Sequence, residues 1–204
     1  MEIENNCRLS NVFISGSAAI YGDNWSEKAA ISFMHNLSKR LVGENYRVIS
    51  GFGLGVGSVI INGALEEIML SKYKHVDEHL CLRPFPQIQS GAKSLKELWE
   101  EYRQEMIEHS GISVFIFGNK ETEEGIVLAN GMIREFEIAK EKQKYIIPIG
   151  STGFVAKQIF DEVEAAIGDY PYLLKYLEVL KTETDENKLI SAVLDIISDI
   201  RGNL

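Results

Sequence analysis

The chain has 204 residues, 45% of them hydrophobic and 25% charged, which fits one globular domain better than two. A net charge of −9 with no block of basic residues argues against a polynucleotide partner, and two cysteines, Cys7 and Cys81, are too few for a disulfide framework or a zinc site. No apolar stretch approaches the roughly 18–20 residues of a membrane span and no signal peptide opens the chain, so the expectation is a cytoplasmic protein without a membrane partner.

Residues 1–10, opening Met1-Glu2-Ile3-Glu4, read as a polar tether, and the folded domain is expected over residues 11–204. Asn11 to Ser15 reads as a first strand, and it empties into Ser15-Gly16-Ser17-Ala18-Ala19. Ser26 to Val42 predicts a helix with Ala30, Phe33, Met34, Leu37 and Leu41 on its apolar face. A second strand, Tyr46 to Ser50, runs into Gly51-Phe52-Gly53-Leu54-Gly55-Val56-Gly57 and then a helix. Glycine at every second position bares the backbone N–H groups of that turn, and a helix N-terminus attracts anions. His79 to Arg83 is the third strand, with Cys81 as a small core residue. Ser94 to His109 predicts a helix opened by a capping box, Ser94-Leu95-Lys96-Glu97, with Leu95, Leu98, Trp99, Tyr102 and Met106 facing inward.

Ser113 to Phe117 and Lys144 to Ile149 complete five strands at intervals of roughly 30–35 residues, the length of one βα unit. Their unbroken hydrophobicity suits strands covered on both faces, so the expected fold is α/β, a Rossmann-like, doubly wound, mainly parallel sheet with a helical C-terminal part. That part comprises Phe154 to Ile167, Tyr170 to Leu180 and Glu186 to Ile200. Tyr170 to Leu177 reads as a lid or contact helix. The last segment has an apolar stripe too broad for a solvated helix, so it packs on the sheet or meets another chain, a plausible homo-oligomer surface.

In such sheets ligands bind outside the carboxyl ends of the strands, where the glycine turns gather. Arg103, Lys120 and Glu135 are expected on that rim: Arg103 to grip a phosphate bidentately, Lys120 to add charge, Glu135 to accept from ribose hydroxyls. Gly131 and Ala139, on either side of Glu135, would leave its face bare for a ligand. The loop backbones around Gly16, Ser17, Gly51, Phe52, Gly53, Leu54 and Gly55 would complete the site, with Tyr21, Phe52, Phe85 or Trp99 available to stack a purine. The glycine pattern departs from G-x-G-x-x-G and follows the second strand, so an ordinary NAD dehydrogenase is not expected. His75 and His79 stand four apart without a third ligand, and no Ser-His-Asp or Cys-His arrangement is evident.

Val12-Phe13-Ile14-Ser15-Gly16-Ser17, Ser50 through Gly57, and Gly131-Met132-Ile133-Arg134-Glu135 together resemble the SLOG superfamily. From residue 10 onward the chain is similar to the C-terminal SLOG domain of the ThsA family, the NAD-hydrolysing effectors of bacterial Thoeris anti-phage defence. The resemblance implies a regulatory, homo-oligomeric sensor that needs no cofactor or metal. Its ligand would be a cyclic ADP-ribose isomer made by a TIR-domain protein, and a sirtuin-like NADase domain would precede it. It also implies ligand contacts from Arg103, Lys120, Glu135 and the loops at Gly16 and Gly53. The related LOG phosphoribohydrolases carry a compact P-G-G-x-G-T-x-x-E segment. Here Gly118 through Glu135 contains an insertion and lacks the paired glycines, which favours binding without turnover. The alternative is a LOG-like nucleoside-monophosphate phosphoribohydrolase in which Glu135 assists ribosyl cleavage. A DprA-like DNA-handling domain fits the acidic balance poorly.

Overall fold

The computed structural model describes residues 9–89 and 91–202. The strands β1 (Asn11–Ser17), β2 (Arg47–Ser50), β3 (Leu80–Leu82), β4 (Ile112–Phe117) and β7 (Tyr145–Pro148) form one sheet in the order β3-β2-β1-β4-β7. All neighbours are parallel, with Val12 opposite Val48 on one side of β1 and Ile112 on the other. β4 is buried at every residue, as expected of a central strand in a covered sheet.

The helices are α1 (Glu27–Gly43), α2 (Gly57–Leu70), the single turn α3 (Val76–His79), α4 (Leu95–Glu108), α5 (Asn130–Glu141), α6 (Phe154–Ala165), α7 (Leu177–Thr182) and α8 (Glu186–Gly202). α1 starts where the Ser26 side chain accepts from Ala29 N–H, and it buries Phe33, Met34, Leu37 and Leu41. It packs against both α2 and α8. The close α1–α2 approach passes through Gly63, where a side chain would collide with His35 O.

Several expectations need correction. The broad stripe of α8 (Leu189, Ile190, Val193, Ile196, Ile197, Ile200) is buried within this chain, so an oligomer cannot use it. Tyr170 to Leu177 is neither lid nor regular helix. It runs as 3-10 turns that bury Leu173 and Tyr176, and Tyr172 Oη bonds both Ile146 N–H (2.9 Å) and Ile146 C=O (3.1 Å), covering the free edge of β7. α4 carries its capping box but buries only Met106 and Ile107, leaving Leu98, Trp99 and Tyr102 half-buried. Cys81 is only half-buried, because β3 is an edge strand with one open flank. Leu9 and Ser10, expected within a tether over residues 1–10, pack with the folded domain: Leu9 is buried and Ser10 C=O accepts from Arg47 N–H. Residues 1–8, Cys7 among them, lie outside the described residues.

The stretch between β4 and α5 folds into an antiparallel hairpin, β5 (Asn119–Thr122) and β6 (Gly125–Leu128), which sequence analysis did not anticipate. It rises from the carboxyl end of β4 and carries Lys120 at its base.

Candidate functional site

Near the end of β1 stands Ser15, whose buried hydroxyl donates to Glu135 Oε2 at 2.6 Å. Glu135 lies in α5, and its other oxygen stands 3.5 Å from Arg103 Nε on α4. The Arg103 side chain is 16% exposed, and its Nε makes no good hydrogen bond in the described residues, so attraction to Glu135 is electrostatic without alignment. The guanidinium lies over the Phe85 ring, 4.9 Å from its centroid. Burial pushes the Glu135 carboxyl above its ordinary range, opposed by the Ser15 hydroxyl and the Arg103 charge.

The space beside Glu135 is used differently from expectation. A side chain at Gly131 would meet Arg103 Nη2 at 2.8 Å, so the missing Cβ admits Arg103. Ala139 is buried in the core and gives no access. Lys120 reaches the same helix end by bonding Asn130 Oδ1 at 2.9 Å, next to Gly131. The three expected side chains are thus brought to one rim, Arg103 and Glu135 in direct opposition and Lys120 joined to them through Asn130 and Gly131. Arg134 turns away to Glu100 (2.7 Å), Glu137 and Glu141, and so clamps α4 to α5 beside the Arg103–Glu135 pair.

The glycine turns form one wall. Side chains at Gly53 or Gly55 would collide with Gly16 O and Ala18 O, and Ala18 N–H donates to Leu54 O at 2.8 Å. The spacing read as ligand access therefore first serves contact between the two loops. Gly51 backs onto Phe85 and Met106, which joins this wall to the Arg103 side of the rim. Phe52 and Leu54 are the exposed large side chains of the second loop. Ser17 Oγ donates to Asn119 O at 3.0 Å, so its hydroxyl is engaged within the protein.

Asn119 is the residue that sequence reasoning missed. It is fully buried; its Oδ1 accepts from Ala19 N–H (2.9 Å) and Ile20 N–H (3.0 Å), and its Nδ2 donates to Ile20 O (2.8 Å). One side chain thus fixes the loop after β1 to the base of the hairpin. An asparagine directly after Gly118, at a strand end, was the available signal. Among the described residues no group of three metal-binding side chains occurs. A groove of ≈ 300 Å³ lined by Arg40, Glu44, Tyr46 and Asp195 lies at the start of β2, away from these residues.

The five-stranded parallel order, with glycine turns after β1 and β2 and polar side chains gathered at the carboxyl ends, defines a Rossmann-like α/β domain. The crystal structure of TM1055, a structural-genomics target, shares the fold with a TM-score of 0.50 at 15% identity, over 74% of this chain and 80% of that one. The chain belongs to the Sir2- and TIR-associating SLOG family, whose profile matches residues 1–200. It is similar to the NAD(+) hydrolase ThsA of Bacillus cereus (strain MSX-D12), 42% identical over 168 residues, covering 82% of this chain and 34% of the relative. The ThsA of Acinetobacter baumannii (strain 532279) is 37% identical over 208 residues, covering 96% of this chain and 43% of the relative. The chain therefore spans less than half the length of these curated relatives.

Proposed function

We propose that this domain binds a cyclic ADP-ribose isomer at the carboxyl rim of its sheet and that binding activates an NAD-hydrolysing domain joined to it, in anti-phage defence. The observation that carries the reading is Arg103: a cation positioned by Phe85 and Glu135, with an Nε that lacks an aligned acceptor. A pyrophosphate would meet the part of the Arg103 side chain left exposed, Lys120 would add a second charge, and the loop backbones would face the remaining oxygens. Family membership and the naming of the relatives as NAD hydrolases support the wider role. Activation requires the ligand to prefer one of two arrangements, and α4, which carries Arg103 and buries few side chains, is the element placed to differ between them.

The domain itself is read as binding without turnover, because the β5–β6 hairpin separates Gly118 from Glu135 where the phosphoribohydrolase segment is continuous. Titration calorimetry with a panel of cyclic ADP-ribose isomers tests the site. Arg103→Ala should weaken binding roughly 10- to 150-fold, the worth of one charge-assisted hydrogen bond. Equal affinity in both proteins would overturn the assignment. Release of free adenine from AMP, followed by chromatography, would overturn the non-catalytic reading.

A further inference from the structure

We infer that Phe52 is the platform on which the base of the bound nucleotide stacks, an assignment that rests on the binding site proposed above. Phe52 has φ 59°, the left-handed region that disfavours a side chain, in a loop where four of seven residues are glycine. The residue held in that conformation is nevertheless the one with a benzyl group, and it is 52% exposed. Its backbone is pinned: its N–H donates to Ser50 Oγ at 3.2 Å, and the missing side chain of Gly57 lets its Cα pack closely. An exposed ring on a fixed backbone loses little freedom when a flat ligand settles on it.

The other aromatic candidates are already engaged. Phe85 lies under Arg103 and against Tyr102, with ring centroids 6.3 Å apart. Trp99 Nε1 donates to Pro86 O, and Tyr21 packs edge-on against Phe117 with centroids 5.4 Å apart. Position supports the same choice. Gly51, the residue before Phe52, backs onto the Phe85 ring that carries Arg103, so phosphate and base sites are contiguous. Ile20 and Leu54 are further exposed apolar side chains of the two loops, which are zipped by the bond from Ala18 N–H to Leu54 O. Stacking of this kind recognises the π-face of a base and leaves its hydrogen-bonding edge unread.

The test compares wild type, Phe52→Gly and Phe52→Trp by calorimetry, with cyclic ADP-ribose isomers and inorganic pyrophosphate as probes. Phe52→Gly should weaken the isomers roughly 5- to 150-fold while leaving pyrophosphate unchanged, and Phe52→Trp should restore isomer binding. Because glycine accepts this φ freely, the glycine variant should melt no lower than wild type, which separates lost stacking from lost folding. Unchanged isomer affinity in Phe52→Gly would overturn the assignment, as would equal loss of both probes, which would make Phe52 a loop organiser. Wild type that binds pyrophosphate but no isomer would also overturn it. Failure of wild type to bind either probe would instead overturn the site proposal, and the platform with it.

Discussion

A carboxyl buried beside an arginine gives Glu135 a stability contribution that changes with pH. Its folded-state pKa is raised, so the folded protein holds the proton more tightly than the unfolded chain. The sign follows: its contribution is most favourable below the ordinary carboxylate range near pH 4.5 and is lost as pH rises through the higher folded value. The difference in Tm between wild type and Glu135→Gln should therefore shrink or reverse by a few degrees between pH 4 and pH 8. A difference that grows with pH would show that Arg103 outweighs burial. At this scale the placement of the three charged side chains was legible, because charges one or two residues from an apolar helix stripe or strand end have few places to go. What Gly131 accommodates was not legible, since an empty Cβ position says nothing about which neighbour fills it. Asn119 was hidden for a related reason: its three bonds go to residues about a hundred positions away.

Among the helices of three turns or more, α4 buries the fewest residues. Only Met106 and Ile107 are fully buried, Tyr102 and Arg103 rest on the Phe85 ring, and the remaining attachments are polar: Arg134–Glu100 and Lys142–Glu108 at 2.7 Å, Arg83–Glu105 at 2.9 Å and the Trp99 bond to Pro86 O. Ion pairs this exposed contribute about 1 kcal/mol or less each. Hydrogen exchange should find the amides of α4 opening well before those of α8, and a bound nucleotide should slow them. Equal protection of the two helices in the free protein would refute this ranking. The capping box at Ser94 and Glu97 was readable because both bonds are local in sequence. The depth of the helix was not, since an amphipathic stripe shows which side faces inward and not what covers it. The β5–β6 hairpin escaped notice because its strands are four residues each and one of them is Asn-Lys-Glu-Thr, charged and without a hydrophobic alternation.

For the molecule as a whole, the five parallel strands were legible from short apolar runs at regular spacing, rich in β-branched and aromatic residues except in β3 (Leu80-Cys81-Leu82), a pattern that suits a doubly covered sheet. The apolar stripe of α8 is equally compatible with an intrachain or an interchain partner, and the fold decides it: α8 packs on α1 and Ile196 is fully buried within the chain. Ile196→Ala should cost about 2–5 kcal/mol in urea unfolding. A loss below about 1 kcal/mol, or a midpoint that moves with protein concentration, would mean the stripe faces another chain after all. β1 has a consequence at the same scale. It starts beside buried Leu9 and ends past the Ser15 hydroxyl that holds Glu135, seven residues or roughly 20 Å apart. Ladders on both flanks forbid it to slide, so it can convey displacement from one end to the other only by tilting as a stiff girder. A nucleotide seated at its tip and a polypeptide attached at its foot would feel the same lever.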